Sequence, residues 1–157
     1  NTNFNLYINM SSKFPKPKQF FPKNPNKYKG NPDNIWSRSS WETKLMQYFD
    51  LHPDVLWWSS EEISIKYFNP IDKMYHKYFP DFMARIRNTK KEEITYMIEV
   101  KPYKQTLQPE KKKRKSKNFL IEMATYTINQ SKWRAADIFC HENGIKFKLI
   151  TEKELGI

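Results

Sequence analysis

The sequence predicts an α/β domain with a mixed central sheet flanked by helices, in the order αβββαβ, behind an extended basic N-terminal arm. Three observations predict it. Three strand-like segments follow one helical segment with no helix between them, as antiparallel hairpins do. A long helical segment then precedes a last strand, so the chain crosses over and the sheet becomes mixed. Residues 1–30 hold six lysines, four of the ten prolines and no acid, with neither a helical nor a two-residue hydrophobic period. They lack a core of their own. The expected organisation is an arm over 1–30 and one folded domain over 31–157.

Ser39-Ser40-Trp41-Glu42 opens the first helix, which places Trp41, Leu45 and Tyr48/Phe49 on one face and runs to about His52, where Pro53-Asp54 stops it. Residues 55–59 and 62–68 read as one strand bent at Ser59-Ser60. Asn69-Pro70-Ile71-Asp72 is turn chemistry, and residues 74–87 read as the next strand. A polar turn over 88–93 leads to the clearest strand, Ile94 to Lys101, in which Ile94, Tyr96, Ile98 and Val100 share a face. Pro102 ends it. Residues 118–143 form the long helix, with a break expected near Asn129-Gln130 and a buried stripe of Trp133, Ala136, Phe139 and Cys140. Gly144 is a C-cap, Ile145, Phe147 and Leu149 alternate as the last strand, and Thr151 to Glu154 caps a final short helix.

The chain of 157 residues carries 28 Lys and Arg against 17 acids, a net charge of +11. A domain this basic expects a polyanion, most often nucleic acid. One cysteine excludes an internal disulfide, and Cys140 with three histidines argues against a zinc site. No run of about 20 apolar residues exists, so neither a membrane-spanning helix nor a membrane partner is expected. A secretory leader is not expected either. Asn1 in place of Met is what a trimmed chain would show. Within 1–30, Phe14, Phe20, Phe21 and Tyr28 suit a segment that docks on a partner, and the lysines equally suit a basic tail. Elsewhere the aromatics match periodic core positions and are read as core rather than as base-stacking platforms; Trp57-Trp58 supplies core on one side and a partner contact on the other.

The chemistry-bearing residues are Asp81, after Pro80, and the Glu99-Val100-Lys101 string. Glu99 and Lys101 are two residues apart on a strand, so both side chains leave the face opposite Ile98 and Val100. A hairpin turning near 88–93 brings Asp81, on the neighbouring strand, level with Glu99. Two carboxylates so placed repel, and a hard divalent cation such as Mg²⁺ resolves the conflict. Such an ion activates water and stabilises charge on a phosphoryl oxygen, with Lys101 positioned to assist. A solvated cross-strand ladder of ion pairs is the bland alternative. Glu42 has two readings, a capping-box residue after Ser39 or a third carboxylate aimed at the cation. The densest charge run, Lys111, Lys112, Lys113, Arg114 and Lys115, either tracks DNA phosphates or is a solvated loop. Asn129 and Lys132 share a helix face and either reach the scissile phosphate or stand on an ordinary polar surface. His52, His76 and His141 show no metal-ligand spacing.

Pro80-Asp81 followed by Glu99-Val100-Lys101, on an αβββαβ order with an acid in the first helix, resembles the PD-(D/E)xK nuclease superfamily. Most of the chain, from Asn24 to Ile157, resembles more closely the head completion (head-closure) nucleases of tailed bacteriophages. The segments that carry this are 24–30, Arg38 to Glu42, Ser60 to Ile65, Tyr78 to Phe82 and Glu99 to Thr106. Transposon end-cleaving endonucleases share the core motif less closely. The resemblance implies a restriction-endonuclease-like fold and Mg²⁺-dependent DNA endonuclease activity, with Mn²⁺ a possible substitute. It places the catalytic residues at Glu42, Asp81, Glu99 and Lys101, with Asp81, Glu99, the Val100 carbonyl and Glu42 around the metal and Arg38, Lys104 and Gln105 facing DNA. It implies double-stranded DNA and phage portal or neck proteins as partners, a possible ring of copies around the portal, and action after packaging in the host cytoplasm and the virion neck. It does not account for residues 1–23. The rival from another class is a catalytically silent structural neck or connector protein that binds DNA or portal through its arm.

Overall fold

The computed structural model describes residues 16–111 and 116–157. The arm's first fifteen residues, with Phe14, and the basic residues Lys112, Lys113, Arg114 and Lys115 therefore lie outside the described residues. The elements are β1 (Lys18–Gln19), β2 (Trp36–Ser37), α1 (Ser40–Leu51), β3 (Val55–Ser60), β4 (Ile65–Asn69), β5 (Met74–Tyr78), β6 (Phe82–Arg87), β7 (Glu93–Val100), α2 (Tyr103–Thr106), α3 (Lys117–Glu142), β8 (Lys146–Ile150) and α4 (Glu152–Leu155).

The central sheet has the order β3-β6-β7-β8. Its first three strands pair antiparallel, and β8 runs parallel to β7 after the α3 crossover. The alternation of β7 divides the core in two. Ile98 and Val100 join Phe82, Ala84, Val55 and Trp58 against Leu45, Met46 and Phe49 of α1. Met97 and Met83 face the other way, against Trp133, Ala136 and Cys140 of α3. The sheet is thus mixed and covered by a helix on each face, as the sequence predicts.

Three expectations are corrected. Residues 62–68 do not continue β3, and 74–87 is not one strand. β4 and β5 pair with each other as a separate two-stranded sheet inserted between β3 and β6. Glu61, at φ 53°, turns the chain out of β3, and Pro80, which has no N–H to give a ladder, separates β5 from β6. The long helix is also unbroken through Asn129-Gln130, because Asn129 is buried within it between the capped ends of α3.

Residues 16–30 are seated on the domain. The Phe20 N–H donates to the Ile35 carbonyl at 2.8 Å, and Tyr28, 6% exposed, packs edge-on to Trp58 with ring centroids 4.8 Å apart. The buried Asp50 carboxylate accepts the Lys23 and Asn24 N–H groups at 2.8 and 2.9 Å. Gly30 allows the close approach, since a Cβ there would sit 2.5 Å from a Glu62 carboxylate oxygen. Replacing Asp50 with Ala removes the charged acceptor of two backbone donors and is expected to cost about 2–4 kcal/mol. Limited trypsin digestion should then cut at Lys23 and Lys27 far faster than in wild type; an unchanged digest would mean that Asp50 does not anchor this segment.

Candidate active site

The alternation that sends Ile98 and Val100 into the α1-side core turns Glu99 to the α3 side, where it is 5% exposed. A carboxylate buried this far needs partners. The Tyr78 hydroxyl donates to Oε2 at 2.5 Å, and the Lys101 ammonium lies 3.2 Å from Oε1. Asp81 stands in the bend between β5 and β6 rather than within a strand, a correction of one residue, since β6 starts at Phe82. The pairing of Phe82 with Ile98 nevertheless sets Asp81 beside Glu99. Asp81 Oδ2 accepts the Val100 N–H at 2.8 Å.

The electrostatics show how crowded these acids are. The Asp81 carboxyl is pushed well above the usual carboxylate range, first by burial and then by the Glu99 charge, against the lowering effect of the Val100 N–H. Glu42 and Lys101 also act on it, in opposite senses. Glu42, in the first turn of α1, is likewise raised, chiefly by burial. Its role at the helix end differs from a capping box. Ser39 Oγ does accept the Glu42 N–H at 3.1 Å, but the Glu42 carboxylate reaches past Ser39 to the Arg38 N–H at 2.9 Å.

Sequence reasoning missed Glu61 as a member of this group. Its carboxylate takes two bonds from the Arg38 guanidinium, at 3.1 and 3.2 Å, and its N–H donates to the Asp81 carbonyl at 3.1 Å. Its charge raises Glu42. A non-glycine residue at φ 53° beside these acids stores strain where it fixes the loop. The signal available was the Glu61-Glu62 pair at the end of an apolar strand.

Lys132, on α3, is drawn toward the same place. Its ammonium lies 5.6 and 5.7 Å from the rings of Tyr67 and Tyr78, and burial, then Lys101, lowers its pKa while Glu99 and Asp81 oppose that shift. Arg38 keeps an exposed side chain, Lys104 and Gln105 are exposed on α2 directly after Lys101 and Pro102, and Lys111 is exposed. His76 is held by Asp72 near the hairpin turn.

Among the described residues no group of three or more His, Cys, Asp or Glu side chains is arranged to hold a metal ion. The donor chemistry fits one of a particular kind: Asp81 and Glu99 offer hard oxygens confined together against their repulsion, and Mg²⁺ uses one or two carboxylates while keeping several waters.

The fold and this cluster define a class. Residues 52–152 match the family described as TnsA-like endonuclease N terminal, and the layered mixed sheet is that of a restriction-endonuclease-like domain. Over 141 residues the chain is 34% identical to the head completion nuclease of Enterobacteria phage T4, covering 87% of this chain and 91% of that protein. The chain belongs to the head completion nuclease family. No solved structure matches it. Among the described residues no helix is long and apolar enough to cross a membrane.

Proposed function

We propose that the chain is a Mg²⁺-dependent DNA endonuclease of the PD-(D/E)xK kind that handles the packaged genome end at the portal or neck while the phage head is completed. The observation that carries this reading is the confinement of Asp81 and Glu99 at one end of β7 with Lys101 bonded to Glu99. A core has no use for paired like charges at that depth, and a cation site does.

Asp81, Glu99 and the Val100 carbonyl would hold the ion, with Glu42 supporting them. When bound, the ion supplies an acidified water and charge stabilisation on the phosphoryl oxygen. Lys101 Nζ stands 3.2 Å from Glu99 Oε1, where it orients the incoming water and offsets phosphate charge. Tyr78 fixes one Glu99 oxygen, so that the carboxylate meets its partners in one orientation. Arg38, Lys104, Gln105, Lys111 and Lys132, with Lys112, Lys113, Arg114 and Lys115, are assigned to the phosphates of double-stranded DNA. The reading extends to portal or neck proteins as partners, a ring of copies around the portal, and residence in the virion neck after assembly in the host cytoplasm.

The test is nicking of supercoiled plasmid. Purified full-length chain should nick in Mg²⁺ or Mn²⁺, stop in excess chelator and resume when Mg²⁺ is restored. A protein inert in both metals, or one that cleaves equally well in chelator, overturns the enzyme reading; inertness hands the fold to the structural neck role.

A further inference from the structure

The β4–β5 hairpin is no part of the αβββαβ core, and its two faces differ. Ile65, Tyr67 and Tyr78 turn inward and pack with Met83, Met97 and Trp133. Cross-strand partners Lys66 and Lys77, and next to them Phe68 and Tyr75, form the opposite face. All four are exposed, Phe68 at 45% and Tyr75 at 64%. The two rings meet edge to face with centroids 5.3 Å apart, and the Lys66 ammonium sits 4.7 Å from the centre of the Tyr75 ring.

The isolated chain gains little from this arrangement. Directly opposed like charges destabilise a strand pair, and two rings left in water forgo burial. Among the described residues neither Lys66 nor Lys77 has a carboxylate within ion-pair distance. Aromatic rings on an open strand face flanked by unneutralised ammonium groups complement one chemistry: unpaired bases for the rings and their phosphates for the lysines. Duplex DNA does not offer it, because its base faces are already stacked. The sequence-based reading of the aromatics as core therefore fails at Phe68 and Tyr75. The hairpin is linked to the acids through the chain, since β5 is followed by the exposed Phe79, the buried Pro80 and then Asp81, and Tyr78 at its end, on the inner face, bonds Glu99.

We propose that the outer face of the β4–β5 hairpin is a stacking platform for single-stranded DNA, seating unpaired nucleotides on the hairpin that leads into the cluster of acids. The proposal rests on the nuclease reading for its purpose but is tested without cleavage. Full-length protein is titrated, in chelator, against fluorescently labelled single-stranded, blunt duplex and overhang-bearing duplex DNA. Wild type should prefer single-stranded and overhang DNA to blunt duplex. The double variant Phe68→Ala/Tyr75→Ala should lose about 10-fold or more on single strands while blunt-duplex binding stays within about 2-fold. Wild type should quench 2-aminopurine in the single strand, and the double variant should not. Lys66→Gln/Lys77→Gln should lower the slope of log affinity against log salt by about 1.4 on single strands.

Equal weakening on both DNAs, no weakening, or no preference in the wild type overturns the platform. So does self-association that the ring variant abolishes, which would assign the face to another copy of the chain. If plasmid nicking fails while these binding differences hold, the nuclease reading falls and the platform stands; the converse result removes the platform alone.

Discussion

Asp81→Asn is expected to reduce Mg²⁺-dependent plasmid nicking by about 1,000-fold or more, in keeping with the loss of one preorganised charge-stabilising group. It should do so without harming the fold. Asparagine has nearly the same volume, and its side-chain oxygen can still accept the Val100 N–H that Asp81 Oδ2 accepts. The wild-type carboxyl is held above its usual pKa by burial and by Glu99, so its ionised form is costly in the folded state. Removing that charge relieves the cost, and the variant should melt at or above the wild-type temperature at neutral pH. This pairing of lost activity with undiminished stability separates a functional acid from a structural one. If Asp81→Asn instead melts several degrees lower and nicks at an undiminished rate per folded molecule, Asp81 is a structural residue and the proposed site is wrong. Glu99→Gln is a weaker discriminator, because it also disturbs the bonds from Tyr78 and Lys101.

The part of this site legible in the sequence is the part written in a two-residue period. Ile94, Tyr96, Ile98 and Val100 alternate so regularly that the side on which Glu99 and Lys101 emerge follows from spacing alone. The turn over 88–93 then sets the register that brings Asp81 alongside. The hairpin was illegible for the same reason. Ile65 and Tyr67 alternate with exposed residues as on a half-buried strand, and alternation reports that a face is buried, not which sheet buries it. Pro80 was the local clue to the break. For Glu61 the Glu61-Glu62 pair marked only the end of a strand, because its place at the site follows from a positive φ and from Arg38, which lies 23 residues earlier. The seat of residues 20–28 was hidden likewise. It depends on Asp50 and Trp58, partners distant in sequence, whereas the local composition of Lys, Pro and Asn reads as solvent-exposed.

Trp58→Ala should be among the most destabilising single substitutions in the chain, about 3–5 kcal/mol, a lowering of Tm by roughly 10–15 °C. Trp58 is fully buried at the junction of three parts of the molecule. Its ring meets Phe20 at 5.9 Å and Tyr28 at 4.8 Å from the N-terminal segment, and Phe49 of α1 at 5.9 Å. Its backbone carbonyl accepts the Lys29 N–H, so the segment is tied to β3 through both the ring and the main chain. Alanine leaves a cavity that rings from separate elements cannot close together. Trp58→Phe should be much milder. The smaller ring keeps most of the contacts, and it removes a buried indole N–H that has no hydrogen-bond partner among the described residues. The consequence for the site is indirect but ordered. β3 ends at Ser60, and the following Glu61 donates its N–H to the Asp81 carbonyl. Loosening β3 therefore loosens the loop that carries Asp81, and nicking by Trp58→Ala should fail at temperatures below its main melting transition while Trp58→Phe retains it. If the alanine variant lies within 1 kcal/mol of wild type, Trp58 does not join these parts, and the acids must be held in place by the β6–β7 pairing alone.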